Sequence, residues 1–151
     1  MKIRIISPWK QEDAFGKKES EYLKRLQNDA KIVVDEIKGE QGEGPDALKK
    51  EGKKLLSRVS KGSFLVALSE KGKSFDSMAF SRWLEEMGIK GRSDITFVIG
   101  SSAGLDSSLV EEAHMLLSLS PMTFPHQMAR VMLVEQIYRA FTLIKGGPYH
   151  K

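Results

Sequence analysis

The sequence contains no cysteine, which excludes disulfide bonds, a thiolate nucleophile and a cysteine-ligated zinc site. Its histidines, His114, His126 and His150, are scattered along the chain and make a poor metal cluster. No run approaches the roughly 20 apolar residues of a membrane span, and the N-terminal segment lacks the apolar stretch of a signal peptide. We therefore expect a cytoplasmic protein without a bound metal, whose chemistry depends on other groups.

The expected organisation is one globular domain over residues 1–151, because the chain has the usual length of a domain and 40% of its residues are hydrophobic. The net charge is +4, and the basic surplus lies within residues 1–62, since acidic and basic residues balance in the remainder. This surplus is compatible with an RNA partner. A solvated helix face carrying Lys49, Lys53 and Arg58 is the more common meaning of such a charge pattern.

Segments of strand character alternate with segments whose apolar residues recur at helical spacing. The predicted strands are residues 2–7, 32–37, 64–69, 94–100 and 116–120. The strand over 64–69 is expected to break at Glu70, Lys71 and Gly72. Because this strand and the one over 94–100 are apolar on both faces, we predict an α/β fold with a parallel sheet covered by helices on both sides.

The helix boundaries are indicated by caps and glycines. Pro45 suits the first turn of one helix, and Ser107 or Ser108 is predicted to cap a shorter one. The last helix is predicted to begin at Pro125 and to end at Gly146 and Gly147. Its apolar residues cover more than one face, so a single core-facing stripe cannot account for them. We expect this helix to pack against its own sheet and against a second subunit in a homodimer.

In an open parallel sheet, ligands bind outside the carboxyl ends of the strands, so the loops after Leu68, Gly100 and Leu119 are the candidate sites. Residues 99–104 form a small-residue turn, at which backbone amides can approach a ligand closely. A tight turn alone explains these residues equally well. The turn matches neither the dinucleotide-binding fingerprint nor a P-loop, so a nucleotide phosphate is not the favoured ligand.

Three C-terminal features carry a resemblance to a known family: the segment SLSPMTFPHQMARVMLVEQIYRAF at 118–141, the Ile-Gly turn at 99–100 and the tail GGPYHK. Together they resemble the ribosomal RNA large subunit methyltransferase H family, over essentially the whole chain. The resemblance implies a SPOUT-type α/β fold with a C-terminal trefoil knot, a rare exception among protein folds. It also implies methylation of N3 of a pseudouridine in 23S ribosomal RNA, with S-adenosylmethionine as the methyl donor and a homodimer as the active form.

The resemblance also assigns a cofactor pocket made of backbone groups and apolar walls, which can hold an adenine without a charged side chain. The assigned residues are Leu68, Gly100, Leu119, Ser120, Pro121, Met122, Thr123 and Phe124. Relatives commonly have a second glycine after Gly100, where this chain has Ser101. Serine fits there if its backbone φ is negative.

The catalytic candidates implied by the resemblance are Arg139, Tyr149 and His150. Tyr149 and His150 lie in a tail that would reach the partner subunit's cofactor site, where an imidazole is a suitable acceptor for the N3 proton. Arg139 would steady an oxygen that gains negative charge, or a phosphate. From the residues alone, a frayed, solvated tail is the favoured interpretation of Tyr149 and His150, because chain termini are usually disordered. For Arg139, an ordinary surface pair with Glu135 is as reasonable as a catalytic role. For His126 we favour helix capping or dimer packing, and for His114 a structural role.

Two other functions stay open. Another SPOUT methyltransferase with a different RNA target would share the fold and the pocket. A non-catalytic ribosome-binding or RNA-binding module is the alternative from another class, although the intact Thr-Phe-Pro-His segment and Pro-Tyr-His tail favour an enzyme. Because the basic surplus is small, we expect a large, preshaped substrate such as the assembled ribosome.

Overall fold

The computed structural model of the chain describes residues 1–151 and contains five strands and five helices. The strands are β1 (Lys2–Pro8), β2 (Lys31–Ile37), β3 (Phe64–Ser74), β4 (Asp94–Val98) and β5 (Met115–Ser118). The helices are α1 (Asp13–Leu26), α2 (Pro45–Ser57), α3 (Ser77–Ile89), α4 (Ser107–Glu112) and α5 (His126–Ile144). The strands form one sheet in the order β2-β1-β4-β3-β5, and every neighbouring pair is parallel.

Both faces of the sheet are buried, which explains why its central strands are apolar without alternation. In β1, Ile5 faces a core that contains residues of α1, α3 and α5, whereas the adjacent Ile6 faces a smaller core with residues of α2 and α4. Each fully buried aliphatic side chain of this kind contributes about 1.5–3 kcal/mol of hydrophobic stabilisation. The predicted α/β fold with helices on both sides of a parallel sheet is therefore confirmed. None of the helices combines the length and apolar character that a bilayer-spanning segment requires.

The predicted break of the third strand after residue 69 is wrong, because β3 continues to Ser74. Leu68 and Lys73 both pair with Leu117 of β5, so residues 69–72 bulge out of the sheet between them. A Cβ atom at Gly72 would lie 2.6 Å from the carbonyl carbon of Leu116, so only glycine fits this close approach. The bulge lies at the carboxyl ends of the strands, beside the candidate site.

Other boundaries differ by one or two residues, with consequences for the site. β4 ends at Val98 and β5 at Ser118, so Gly100 and Leu119 lie in the loops beyond these strands. The cap of α4 is Asp106, whose carboxylate accepts a hydrogen bond from the Ser108 N–H, rather than Ser107 or Ser108. α5 follows Pro125 directly and ends just before Gly146, as predicted.

A buried ion-pair network fixes the first turns of α5. The Arg130 guanidinium donates to Glu19 of α1 at 2.6 Å and to Glu36 of β2 at 2.8 Å. Burial by itself would lower the pKa of Arg130, but the hydrogen bonds to the two carboxylates raise it above its usual value. Since breaking one partner of such a pair leaves an uncompensated buried charge, the network holds the start of α5 firmly against α1 and β2.

Candidate functional site

A cavity of about 1040 Å³ opens at the carboxyl ends of β3, β4 and β5. Its walls come from the bulge within β3, from the loops after β4 and β5, and from α4 and the first turn of α5. Seven of the eight residues assigned to the cofactor by resemblance line it: Leu68, Gly100, Leu119, Ser120, Met122, Thr123 and Phe124. Pro121 is not among the lining residues. The structure thus brings together a strand bulge and two loops that are separated by up to about 50 residues in the sequence, at the edge where parallel sheets bind ligands.

The loop after β4 is a tight turn that closes one side of the cavity. The Gly104 N–H donates to the Ser101 carbonyl at 2.9 Å, and Gly104 has a φ of +90°, which favours glycine. A Cβ atom at Gly100 would lie 2.4 Å from the Gly104 carbonyl oxygen. Trp9 is the only non-glycine residue with a positive φ, so the φ of Ser101 is negative. Serine therefore fits at this position, where relatives commonly have a glycine.

The loop after β5 is held by its own serines. The Ser118 hydroxyl donates to the Ser120 carbonyl at 2.9 Å, and the Ser120 hydroxyl accepts from the Met122 N–H at 3.0 Å. This turn leaves the Met122 side chain 74% exposed and Phe124 half-buried. The cavity wall therefore offers apolar side chains beside backbone donors and acceptors, a combination that suits a flat heteroaromatic ligand.

His126 lies at the cavity wall, and of its two predicted roles the structure excludes helix capping, whereas dimer packing stays a prediction. The residue at the N-cap position of α5 is Pro125, and no side chain caps this helix, so His126 does not act as a cap. Burial lowers the pKa of His126, with only partial compensation from the Glu51 and Glu12 carboxylates, which favours the neutral imidazole. Its Nε2 atom is buried without a hydrogen-bond partner.

His114 has the predicted structural role. Its Nδ1 atom accepts a hydrogen bond from the Leu65 N–H at 2.9 Å, and its ring stacks on Phe64 with the ring centroids 4.9 Å apart. These contacts tie the segment before β5 to β3, away from the cavity lining.

The three catalytic candidates form one cluster around Glu135 of α5. The Glu135 carboxylate accepts from the Arg139 guanidinium at 2.6 Å and from the Tyr149 hydroxyl at 3.0 Å. The second terminal nitrogen of Arg139 lies 3.1 Å from His150 Nδ1, and the guanidinium also covers the Tyr149 ring at 4.8 Å from its centroid. The tail is therefore docked on α5. It also contacts α1 through the hydroxyl of Tyr22, 3.3 Å from that of Tyr149.

The cluster has a distinct electrostatic character. Burial raises the pKa of Tyr149, and its hydrogen bonds with Tyr22 and Glu135 raise it further. The hydrogen bond to Glu135 raises the pKa of Arg139. Arg139, Tyr149 and His150 are brought together by the structure, but none of them lines the cavity of the same chain.

The roles of two acidic residues are not evident from the sequence. The sequence indicates Glu135 only as a surface partner of Arg139, although in the structure it also accepts from the tail tyrosine, Tyr149. Glu51 of α2 is 2% exposed and accepts a hydrogen bond from the Ser101 N–H of the cavity loop at 3.4 Å. The spacing of four residues pointed to the first pair, whereas no local pattern pointed to Glu51.

Comparisons with known proteins agree with this geometry. The family described as "Predicted SPOUT methyltransferase" matches residues 1–150. Proteins named "Ribosomal RNA large subunit methyltransferase H" from Ruminiclostridium cellulolyticum and Clostridium acetobutylicum are 45% and 42% identical to this chain, over 100% of both chains in each case. A solved structure, a probable methyltransferase from Bordetella pertussis Tohama I, has a TM-score of 0.56 at 12% identity and covers 92% of this chain and 93% of its own, which supports the fold. The chain therefore belongs, as its C-terminal motifs indicated, to the SPOUT methyltransferases and within them to the ribosomal RNA large subunit methyltransferase H family.

Proposed function

We propose that this methyltransferase transfers a methyl group from S-adenosylmethionine to N3 of a pseudouridine in 23S ribosomal RNA, acting on the assembled ribosome. The observation that carries the proposal is the cavity of about 1040 Å³, which gathers residues of the β3 bulge and of the loops after β4 and β5. The names of the full-length relatives support a ribosomal RNA substrate.

The cavity fits the proposed cofactor in size and character. Small-molecule sites commonly measure about 300–1,000 Å³ and have apolar walls with a few polar groups. Leu68, Leu119 and Phe124 supply apolar surface, and Gly100 leaves its backbone open to close approach. When bound, S-adenosylmethionine would supply a methyl group activated by its sulfonium. Pro121 would act indirectly, by restricting the backbone of the loop that its neighbours use for binding.

The proposed proton chemistry follows from the tail cluster. Because the pKa of Tyr149 is raised, its hydroxyl stays protonated at neutral pH and serves as a donor rather than a base. A guanidinium can only donate, so His150 Nδ1 accepts from Arg139 and the neutral imidazole carries its proton on Nε2. We propose that Arg139 turns, when RNA binds, to one of the two carbonyl oxygens that flank N3 and stabilises the negative charge that develops there. This movement frees His150 Nδ1 to accept the N3 proton.

The proposal requires a homodimer, because the catalytic candidates do not line the cavity of their own chain. The tail of one subunit would meet the cavity of the other. α5 offers a suitable interface: Met128 is 39% exposed, and Val131 and Met132 are partly exposed although they are apolar. An uncovered apolar surface of this kind commonly marks a protein contact. The trefoil knot expected from the resemblance, and its place within this dimer, stay predictions.

Three measurements test the proposal. Calorimetry should show binding of S-adenosylmethionine and of its demethylated product, and light scattering should give about twice the chain mass of 16.9 kDa. Transfer of a labelled methyl group should be much faster to 70S ribosomes than to isolated subunits or free 23S RNA. Absence of cofactor binding would refute the methyltransferase mechanism, and equal rates on free RNA would refute the requirement for the ribosome.

A further inference from the structure

Glu51 is a buried carboxylate at the junction of two loops. It lies on α2 and is 2% exposed. Its two oxygens accept from different backbone amides, Oε1 from Ser101 and Oε2 from Glu40, each at 3.4 Å. Burial of a carboxylate is costly unless hydrogen bonds replace those lost to water. The bonds from the Ser101 and Glu40 amides supply this compensation for Glu51.

The helix that carries Glu51 is packed tightly against the same region. A Cβ atom at Gly52 would lie 2.9 Å from the Cβ atom of Asp106, the cap of α4, so α2 directly abuts the end of the cavity loop. A second link joins the Ser102 hydroxyl to a carboxylate oxygen of Glu43 at 3.4 Å. The loop over residues 39–44 and the cavity loop over residues 100–104 are thus joined to each other and to α2.

Glu51 also acts electrostatically on His126, which lines the cavity. Its charge is one of two carboxylate charges that favour protonation of His126, the first residue of α5. The Nε2 atom of His126 is buried without a partner. Glu51, which does not itself line the cavity, therefore binds the loops after β2 and β4 through hydrogen bonds and interacts through its charge with the start of α5.

We propose that Glu51 is a positioning residue, which holds the cavity loop over residues 100–104 in the shape that binds the cofactor by accepting from the Ser101 amide. This inference rests on the proposed function of the cavity. Its oxygen at the Glu40 amide ties the neighbouring loop over residues 39–44 to the same point. Without the carboxylate, the Ser101 amide would be unpaired beside Gly100, and the loop would lose its fixed position relative to the cavity.

The test compares three variants by calorimetry with S-adenosylhomocysteine and by thermal unfolding. Glu51→Leu removes both acceptors, and we expect binding to weaken about tenfold. Glu51→Gln keeps one oxygen, which can still serve the Ser101 amide, and should lose less than about threefold. Leu55→Ala is the matched control, because Leu55 is buried on the same helix one turn later but faces the core. It should lower the Tm and leave the cofactor affinity unchanged.

Two further readouts separate positioning from general stability. Amide hydrogen exchange at Ser101 should be faster in Glu51→Leu and close to wild type in Leu55→Ala. The turnover of Glu51→Leu at saturating cofactor should stay within about twofold of wild type, so that the loss appears in binding. If Glu51→Leu does not fold, Glu51→Asp replaces it, since a carboxylate one methylene shorter cannot reach both amides.

The outcomes are distinguishable. If wild type binds S-adenosylhomocysteine and the Glu51 variants bind equally well, the positioning role is overturned and the proposed function stands. Equal weakening by Leu55→Ala overturns it as well, because stability alone would then explain the loss. A wild-type protein that does not bind overturns the proposed function and this inference together.

Discussion

Replacement of Gly100 by alanine tests the cavity geometry at its tightest point. The new Cβ atom would lie 2.4 Å from the carbonyl oxygen of Gly104 and 2.9 Å from Cδ2 of Leu105. Ordinary contact begins near 3.4 Å, so the turn over residues 101–104 must move by about 1 Å. Because the oxygen belongs to the backbone, no side-chain rotation can relieve the contact.

The expected magnitude follows from the cost of overpacking, which is about 1–3 kcal/mol for an inserted methyl group in a packed region. If the loop moves out to relieve the clash, restoring the binding shape costs a similar amount, which corresponds to about 5- to 150-fold weaker binding. We expect the Kd for S-adenosylhomocysteine in calorimetry to rise by at least about fivefold. The Tm in scanning calorimetry should fall by a few degrees.

Gly62→Ala is the matched control. Gly62 has a φ of +83° and no atom within 4 Å of its potential Cβ, and it lies in the turn between α2 and β3. The strained φ costs alanine about 1–2 kcal/mol, so stability should fall while cofactor affinity stays the same. A folded Gly100→Ala protein with wild-type affinity would refute this placement of the cofactor. Equal weakening by Gly62→Ala would refute the steric reasoning.

Three further predictions concern the tail, the dimer and the buried network. His150→Ala should lower kcat by a factor of about 10² to 10⁴ and leave the cofactor affinity unchanged. If a saturating concentration of ribosomes instead restores the wild-type rate, His150 contacts an RNA phosphate and does not accept the proton. A dimer of one Gly100→Val subunit and one subunit lacking residues 148–151 should keep about half the wild-type activity, because one of its two sites combines an intact cavity with an intact tail. Each variant should be inactive as a homodimer. An inactive mixed dimer would contradict a site shared between subunits. Burial tends to raise the pKa of Glu36, but the hydrogen bonds from Arg130 and from the Gln11 N–H have the larger effect and lower the pKa below 4.5. The charged form of Glu36 therefore stabilises the folded state. The excess stability of wild type over Glu36→Gln should therefore be largest above pH 4.5 and shrink as the pH falls, and a constant difference in Tm across this range would contradict the assignment.

The sequence predicts the layers of the fold because they depend on local periodicity. The apolar runs in β3 and β4 and the capping proline of α5 are local signals, and the structure confirms them. The extension of β3 to Ser74 depends on pairing between Lys73 and Leu117, which are far apart in the chain. Nothing in the polar segment after Leu68 indicates that pairing, apart from Gly72.

The candidate site likewise contains residues that the local sequence indicates and residues that it does not. The small-residue turn at Gly100 and the loop after Leu119 follow strands, so the rule for parallel sheets points to both. Glu51 belongs to a helix whose local sequence is ordinary, and it meets the cavity loop only through tertiary packing. His126 directly follows the loop after Leu119, but the burial of its unpartnered Nε2 atom depends on tertiary packing. The separation of Tyr149 and His150 from the cavity of their own chain was likewise expected only from the family resemblance.

The nucleotide that receives the methyl group tests the proposed function most directly. Ribosomes lacking the modification would be incubated with the protein and methyl-labelled S-adenosylmethionine, and the 23S RNA would be digested to nucleosides and separated against a 3-methylpseudouridine standard. We predict that the label co-migrates with this standard, at one position per ribosome, and that it is lost in a protein lacking residues 148–151. Label in a different nucleoside would contradict the proposed acceptor, and no label at all in the presence of folded, cofactor-binding protein would contradict methylation of the ribosome.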